Sequence, residues 1–136
     1  MEWTAVKKIS TSDFQIEAGG TKIGEDILLY VKGGEKPHIG CTVIAVPRPS
    51  LSGNGQTSAT SSVLNLTGHK DESLCRTLAE MVCCASGKNV ACSGGFHMDQ
   101  ITLQQIQEVE AAVRKLGEFL IKELLTFIFL YGVCIK

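Results

Sequence analysis

The sequence lacks the short motifs that identify many catalytic and metal-binding proteins. It has no C-x-x-C pair, which argues against a zinc ribbon or a thioredoxin-type redox centre. It has neither a G-x-G-x-x-G nor a Walker A sequence, so no nucleotide-binding fold is indicated. G-x-S-x-G and H-E-x-x-H are absent too, and nothing pairs a nucleophile with a base and an orienting acid. An enzymatic role is therefore less well supported than a binding or assembly role.

The chain also lacks an excess of charge of either sign. Its formal net charge is −1 with acids and bases interspersed, whereas nucleic-acid binders and polybasic membrane-surface proteins carry basic patches. The first eight residues contain no apolar core, and the apolar run 124–135 is shorter than the roughly 20 residues that a spanning helix needs. We therefore expect a cytoplasmic protein that binds neither nucleic acid nor membrane, with reduced cysteines.

Hydrophobic periodicity predicts one α+β domain over residues 1–136, with a mostly antiparallel sheet and two main helices in the order ββββαβα. The glycines from Gly19 to Gly24 are predicted to bracket a hairpin turn, and Pro47 is predicted to end the third strand. Thr102 followed by Gln105 predicts a capping box before the second helix. The predicted strands cover 12–20, 25–32, 41–46, 59–66 and 89–94, and the helices cover about 68–87 and 102–124.

The stretch from Gly33 to Gly40 is the most unusual one, because it packs three glycines, a proline, a lysine and a histidine between two predicted strands. Paired glycines, here and at Gly94–Gly95, let backbone N–H groups approach an anion closely. We therefore interpret the stretch as a loop that binds a small anionic ligand. The alternative is that these glycines serve only tight turns.

Three histidines, each beside a glycine-marked boundary, and three cations extend this inventory of anion-binding groups. The serine-rich loop 50–58 is predicted to act as a lid over the ligand. A three-histidine metal centre is an alternative, but its spacing matches no known signature, and we predict neither metal ligands nor catalytic residues. The predicted ligand-binding residues are Gly34, Lys36, His38, Gly40, Arg48, Ser58, Thr60, His69, Lys70, Gly95 and His97.

Five motifs in this order resemble a known family over residues 12 to 124. They are GGEKPHIG at 33–40, PRPSL at 47–51, SATSSV at 58–63, GHKDE at 68–72 and SGGFHMD at 93–99. The chain is similar to the small D-subunit family of gallate decarboxylase, the prenylated flavin chaperone LpdD-like domain. The apolar tail 125–136 has no counterpart in that resemblance.

The resemblance implies a non-catalytic accessory subunit of a UbiD-type decarboxylase of aromatic, gallate-like acids. Such enzymes use prenylated FMN, and the small subunit would handle prenylated FMN or FMN, or assist assembly of the enzyme. It also implies a fold like that of proteasome assembly chaperones. The alternatives are a pure protein–protein assembly module without flavin and, with less support, a small enzyme or metal protein acting on an aromatic acid. The apolar tail is expected to pack on the sheet or on a second subunit, and the second arrangement would give a homo-oligomer.

Overall fold

A computed structural model describes residues 3–66 and 72–134, with side chains described as far as residue 126. Along the chain, five strands are followed by a helix, a sixth strand and a long helix. They are β1 (Ala5–Ser10), β2 (Gln15–Ile23), β3 (Asp26–Gly34), β4 (Cys41–Pro49), β5 (Thr57–Asn65), α1 (Glu72–Ser86), β6 (Val90–His97) and α2 (Leu103–Cys134).

The six strands form one sheet in the order β1-β2-β3-β6-β4-β5. Only β3 and β6 run parallel, and all other neighbours are antiparallel. The predicted α+β class with a mostly antiparallel sheet and two helices is thus confirmed. Strand β1 is an addition to the predicted order, since its sequence AVKKIS is short and its two adjacent lysines break the apolar alternation.

Both helices cover the same face of the sheet and enclose the core between them and the strands. Helix α1 packs on β4, β5 and β6, and α2 packs on β1 and β2 and against α1. The opposite face of the sheet, which we call the open face, carries no helix among the described residues. The largest fully buried side chains are Ile16, Leu29, Leu78, Leu116, Leu120, Leu124, Val31, Val43, Val82, Val90, Val113 and Cys41.

Strands β2, β4 and β6 each run three residues beyond their predicted ends, to Ile23, Pro49 and His97. Gly19 and Gly20 lie inside β2 rather than in a turn. The glycine at position 19 serves a close approach, because the Tyr30 ring occupies the space that a Cβ there would need. The turn follows at Gly24, with φ +60°. Strand β4 continues through Pro47 to Pro49, beyond its last pairing with β6 at Ala45. Proline is tolerated there because the strand has a neighbour on one side only.

The ends of the helices follow the predicted signals. At the end of α1, Gly87 adopts φ +68° and its N–H donates to the Cys83 carbonyl oxygen at 2.9 Å. At the start of α2, the Gln105 N–H donates to Thr102 Oγ1 at 3.1 Å, and the Thr102 N–H donates to Gln105 Oε1 at 2.9 Å. The capping box is therefore confirmed. Helix α2 continues into the apolar tail, where the structure describes side chains only as far as residue 126. Neither of the described helices is long and apolar enough to cross a membrane.

Candidate functional site

Strand directions divide the predicted ligand residues between two opposite edges of the sheet. Strands β3 and β6 end at the edge where β4 begins, which we call the upper edge, and it holds Lys36, His38 and His97. Arg48 lies near the other end of β4, at the lower edge, seven residues beyond Cys41 or about 23 Å along the strand. Lys36 and Arg48, both predicted from the sequence to bind one ligand, therefore lie at opposite edges and cannot share a phosphate, because antiparallel β4 carries Arg48 away from the upper edge.

The glycines of the upper edge are accounted for by contacts between strands. A Cβ at Gly34, which adopts φ +77°, would overlap the His97 carbonyl oxygen. The Gly40 N–H donates to the Gly94 carbonyl oxygen at 2.8 Å, and the Glu35 N–H donates to that of His97 at 2.7 Å. These two amides cannot also cradle an anion. Gly95 is buried opposite Lys32 of β3 in the same ladder.

The ionisable groups of the upper edge form an exposed network of both signs. His97 Nε2 lies 2.8 Å from Asp99 Oδ1, and His38 Nδ1 lies 2.8 Å from the Lys36 carbonyl oxygen. The hydrogen bond and charge of His97, assisted by Lys36, lower the pKa of Asp99 below its usual value. Glu35 adds a second carboxylate, whose Oε2 accepts from the Asp99 N–H at 3.4 Å. Because the acids balance the cations, this cluster is a poor anion site.

Glu35 and Asp99 were not among the sequence-based candidates, although the H-x-D spacing at 97–99 was a visible signal. Two further candidates, His69 and Lys70, lie outside the described residues. Within the described ranges 3–66 and 72–134, no group of three or more histidine, cysteine or acidic side chains could hold a metal ion.

A small cavity of about 210 Å³ lies on the open face beside Gly34. Lys8, Glu17 and Lys32 supply its charged walls, and none of them was predicted from the sequence. Lys32 Nζ is 3.7 Å from Glu17 Oε2, and the same oxygen accepts a 2.5 Å hydrogen bond from the Tyr30 hydroxyl. Burial and the Glu17 carboxylate raise the pKa of Tyr30 above its ordinary value. Glu17 thus already supplies, beside Lys8 and Lys32, the negative charge that a bound anion would bring to this cavity.

The lower edge holds a larger groove, of about 560 Å³, between the β4–β5 loop and the end of α1. This volume falls within the range of roughly 300–1,000 Å³ that is typical of small-molecule sites. Among the described lining residues Arg48 alone is charged, and the rest are polar, proline or glycine. The groove is lined by Pro47, Arg48, Pro49, Ser50, Gly53, Gly55, Gln56, Thr57 and Gly87.

Hydrogen bonds hold the Arg48 guanidinium at the groove. Its Nε donates to Thr60 Oγ1 at 2.8 Å, and its Nη1 donates to the Pro49 carbonyl oxygen at 3.2 Å. Ser58, paired with Arg48 across the β4–β5 ladder, lies beside it. The loop residues 51–57 are exposed throughout, so the groove is open to solvent. Arg48, Ser58 and Thr60 thus form one group, separate from the upper edge.

Residues 10–125 match the family described as the prenylated flavin chaperone LpdD-like domain. The chain belongs to this family. The match spans most of the sheet and both helices, and the description of the family supports a chaperone role connected with prenylated flavin. It confirms the resemblance carried by the five sequence motifs.

No curated protein matches the chain. Among solved structures, one similar chain comes from the crystal structure of a novel chaperone complex for yeast 20S proteasome assembly. The two are 17% identical, with a TM-score of 0.49, and the similarity covers 88% of this chain and 98% of that one. The likeness concerns the fold alone.

Proposed function

We propose that this protein is a non-catalytic accessory subunit that holds prenylated FMN, or FMN, and passes it to a UbiD-type decarboxylase of aromatic, gallate-like acids. The observation that carries the proposal is the match of residues 10–125 to the prenylated flavin chaperone LpdD-like family. A protein that transfers a cofactor needs a site that binds the cofactor and stays accessible to the receiving enzyme. The question is then which part of the chain binds the flavin.

The groove at Arg48 is the flavin site that we propose. A flavin mononucleotide combines a planar ring system with a phosphate, and arginine pairs with phosphate through a fixed fork of N–H donors. The Thr60 and Pro49 oxygens engage Nε and Nη1 of Arg48, and these bonds orient the guanidinium before ligand arrives. Ser50, Gln56 and Thr57 add neutral donors along the same wall. The loop 50–58 then contacts the ligand, in keeping with the lid predicted from the sequence.

The upper edge is less suited to a phosphate. Glu35 and Asp99 lie among its cations, and an incoming anion would be repelled by both carboxylates. In the cavity beside it, Glu17 is already paired with Lys32. We therefore propose that Lys36, His38 and His97 take part in contacts with the partner enzyme rather than with the flavin phosphate.

Titration of the purified protein with FMN, prenylated FMN and riboflavin tests the proposed site. Flavin fluorescence or calorimetry reports the dissociation constant, and riboflavin serves as the ligand without a phosphate. Loss of a charged hydrogen bond costs about 2 kcal/mol, so Arg48→Ala should weaken FMN binding roughly 30-fold. The same variant should bind riboflavin as the wild type does.

Two variants act as controls. Arg76→Ala removes an exposed arginine of α1 that pairs with Glu72 and Glu80, and it should leave flavin binding unchanged. Lys36→Ala tests the upper edge and should also have no effect. If Lys36→Ala weakens FMN binding and Arg48→Ala does not, the phosphate site is at the upper edge. If neither flavin binds to the wild-type protein, the proposal of a flavin carrier is wrong.

A second candidate function is a pure assembly module that stabilises the decarboxylase without binding flavin. The uncovered open face, with exposed Ile44, Val46 and Leu64, favours this candidate because apolar surface of this kind marks protein contacts. It predicts that the chain co-purifies with the decarboxylase and that addition of flavin does not change the yield of the complex. In that case Arg48→Ala would leave the complex intact and the partner enzyme fully active.

A further inference from the structure

Strand β5 forms one edge of the sheet, and no described strand pairs with its outer side. It pairs with β4 without a bulge, from Thr57 to Asn65. Sheet edges of natural proteins are ordinarily protected by lysines, prolines, bulges or short length, since unpaired backbone groups attract other strands. Strand β5 has none of these protections, whereas β1 at the opposite edge has only six residues and carries the adjacent Lys7 and Lys8.

Two hydrogen bonds at the ends of the β4–β5 ladder show which backbone groups of β5 point outwards. The Leu66 N–H donates to the Gly40 carbonyl oxygen at 2.9 Å. At the other end, the Ser50 N–H donates to the Gln56 carbonyl oxygen, also at 2.9 Å. Bonded residues alternate in an antiparallel ladder, so the even-numbered residues of β5 bond to β4 and the odd-numbered ones do not. The residues whose N–H and C=O groups point away from β4 are therefore Thr57, Ala59, Ser61, Val63 and Asn65.

Helix α1 runs antiparallel to β5 and places a column of charged side chains beside this edge. Ser61 Oγ donates to Glu80 Oε1 at 2.7 Å, and Asn65 Nδ2 donates to Glu72 Oε2 at 3.2 Å. Arg76 lies between the two acids and pairs with Glu72 at 2.9 Å and with Glu80 at 4.0 Å. The three charged side chains are between 38% and 45% exposed. The edge is thus bordered by two accessible carboxylates and by one arginine that both of them already pair.

We propose that the outer edge of β5 binds an extended segment of a partner protein as a seventh strand, with basic side chains at alternate positions. A line of alternating N–H and C=O groups is complementary to another extended backbone, and strand addition is a common mode of peptide recognition. Alternate side chains of the added strand lie on the helix side of the sheet, next to Ser61 and Asn65. Lysine or arginine there would pair with Glu80 and Glu72.

The charges of α1 argue against a second copy of this chain as the added strand. Two β5 strands paired antiparallel about a two-fold axis near Ser61 would bring both α1 helices to the same side of the joined sheet. Glu80, which bonds to Ser61, would then approach its own counterpart across the axis. Like charges brought together in this way are unfavourable. A basic strand from a different protein avoids this repulsion and supplies the opposite charge.

The added strand and the flavin groove occupy different parts of the β4–β5 hairpin. Among the described lining residues of the groove, Thr57 alone belongs to β5. A strand opposite residues 61–65 therefore leaves Arg48 accessible. Strand addition is independent of the flavin proposal, and either one can fail without the other.

A synthetic peptide with the sequence Thr-Lys-Val-Thr-Val-Lys-Thr tests the proposal. Its two lysines lie on one side of an extended chain, at the spacing of Ser61 and Asn65, and its valines lie on the other side. Fluorescence anisotropy of the labelled peptide measures its dissociation constant with the full chain. Glutamate in place of both lysines should weaken binding roughly 10-fold, because each exposed ion pair becomes a repulsion.

Methylation of single peptide nitrogens tests whether the backbone makes the contact. The N–H of the central threonine would face β5, so its methylation should weaken binding roughly 10-fold. The N–H of a neighbouring valine would face solvent, and its methylation is the matched control that should leave binding unchanged. On the protein, Glu80→Gln keeps an acceptor for Ser61 and should weaken binding about threefold. Glu118→Gln, at an exposed position of α2, should have no effect.

Amide hydrogen exchange measured by NMR locates the added strand. In the free protein the amides of Ser61 and Val63 should exchange fast, and the amide of Ser62, bonded to β4, should exchange slowly. The peptide should slow the exchange of Ser61 and Val63. Absence of binding at millimolar peptide, equal affinity for the lysine and glutamate peptides, or protection of β1 instead would overturn the proposal. So would slow exchange of Ser61 and Val63 in concentrated protein without peptide, which would identify a second copy as the occupant.

Discussion

Replacing Gly94 with alanine tests whether the glycines of β6 serve the packing of strands. Gly94 pairs with Val31 of β3 and with Cys41 of β4, at φ +151°. A Cβ at this position would overlap the carbonyl oxygen and carbonyl carbon of Val31. Both are backbone atoms and cannot rotate away as a side chain can. Strands β3 and β6 would have to separate at the centre of the sheet.

The expected loss of stability combines two costs. A residue other than glycine in this backbone region is strained by about 1–3 kcal/mol, and overpacking a close contact costs typically about 1–3 kcal/mol. We expect Gly94→Ala to lower the free energy of unfolding by about 4 kcal/mol, which is a large part of the 5–15 kcal/mol of a typical domain. At about 3–4 °C per kcal/mol for a chain of this length, the melting temperature should fall by roughly 15 °C.

Urea unfolding followed by circular dichroism measures this loss, and Gly24→Ala is the matched control. Gly24 adopts φ +60° in the β2–β3 turn, where an added Cβ meets nothing within 4 Å. Its substitution therefore costs only the conformational strain, about 1–2 kcal/mol. If the two variants lose equal stability, the Val31 contact does not explain the glycine. If Gly94→Ala keeps its stability but loses flavin binding, the glycine serves a ligand instead.

Three further predictions follow from single contacts. Because the pKa of Tyr30 is raised in the folded state, its protonated hydroxyl contributes its full stabilisation of the fold at pH values below the ordinary pKa of 10.0. This contribution is lost as the pH rises from there towards the higher folded pKa. Tyr30→Phe should flatten the fall of unfolding free energy above pH 10. Thr102→Ala removes the helix cap and should cost about 1 kcal/mol in urea unfolding. In a Cys134→Ala background, Cys84 should be the only thiol that a disulfide reagent modifies before unfolding, and slowly, because burial and Glu80 raise its pKa.

Elements with a clear periodicity were predictable from the sequence, and those defined by distant contacts were not. The repeat of Leu74, Leu78 and Val82 identified α1, and all three are buried. The glycines of β2 were misassigned because glycine indicates a turn or a close approach equally well. The Tyr30 ring that decides for the close approach at Gly19 comes from the next strand. No local pattern in the sequence reveals such a contact.

The candidate site shows the same limit. His38 and His97 share the upper edge because β3 and β6 run parallel, with His97 as the last residue of β6 and His38 in the loop after β3. Their positions near strand ends were visible in the sequence. The direction of β4 was not visible, and it alone decides that Arg48 lies at the other edge. The carboxylates of Glu35 and Asp99 change the electrostatics of the histidine cluster. They lie in the loops after β3 and β6, which are far apart in sequence, so their proximity could not be predicted.

The β4–β5 hairpin contributes to two different surfaces. Its strands carry the exposed Ile44 and Leu64 side chains on the open face, while the loop between the strands builds the groove with Arg48 at the lower edge. Leu64→Lys should therefore leave FMN affinity as it is in the wild type, whereas Arg48→Ala should weaken it roughly 30-fold. Titration of both variants with FMN measures the difference, and equal losses of affinity would contradict binding at the groove.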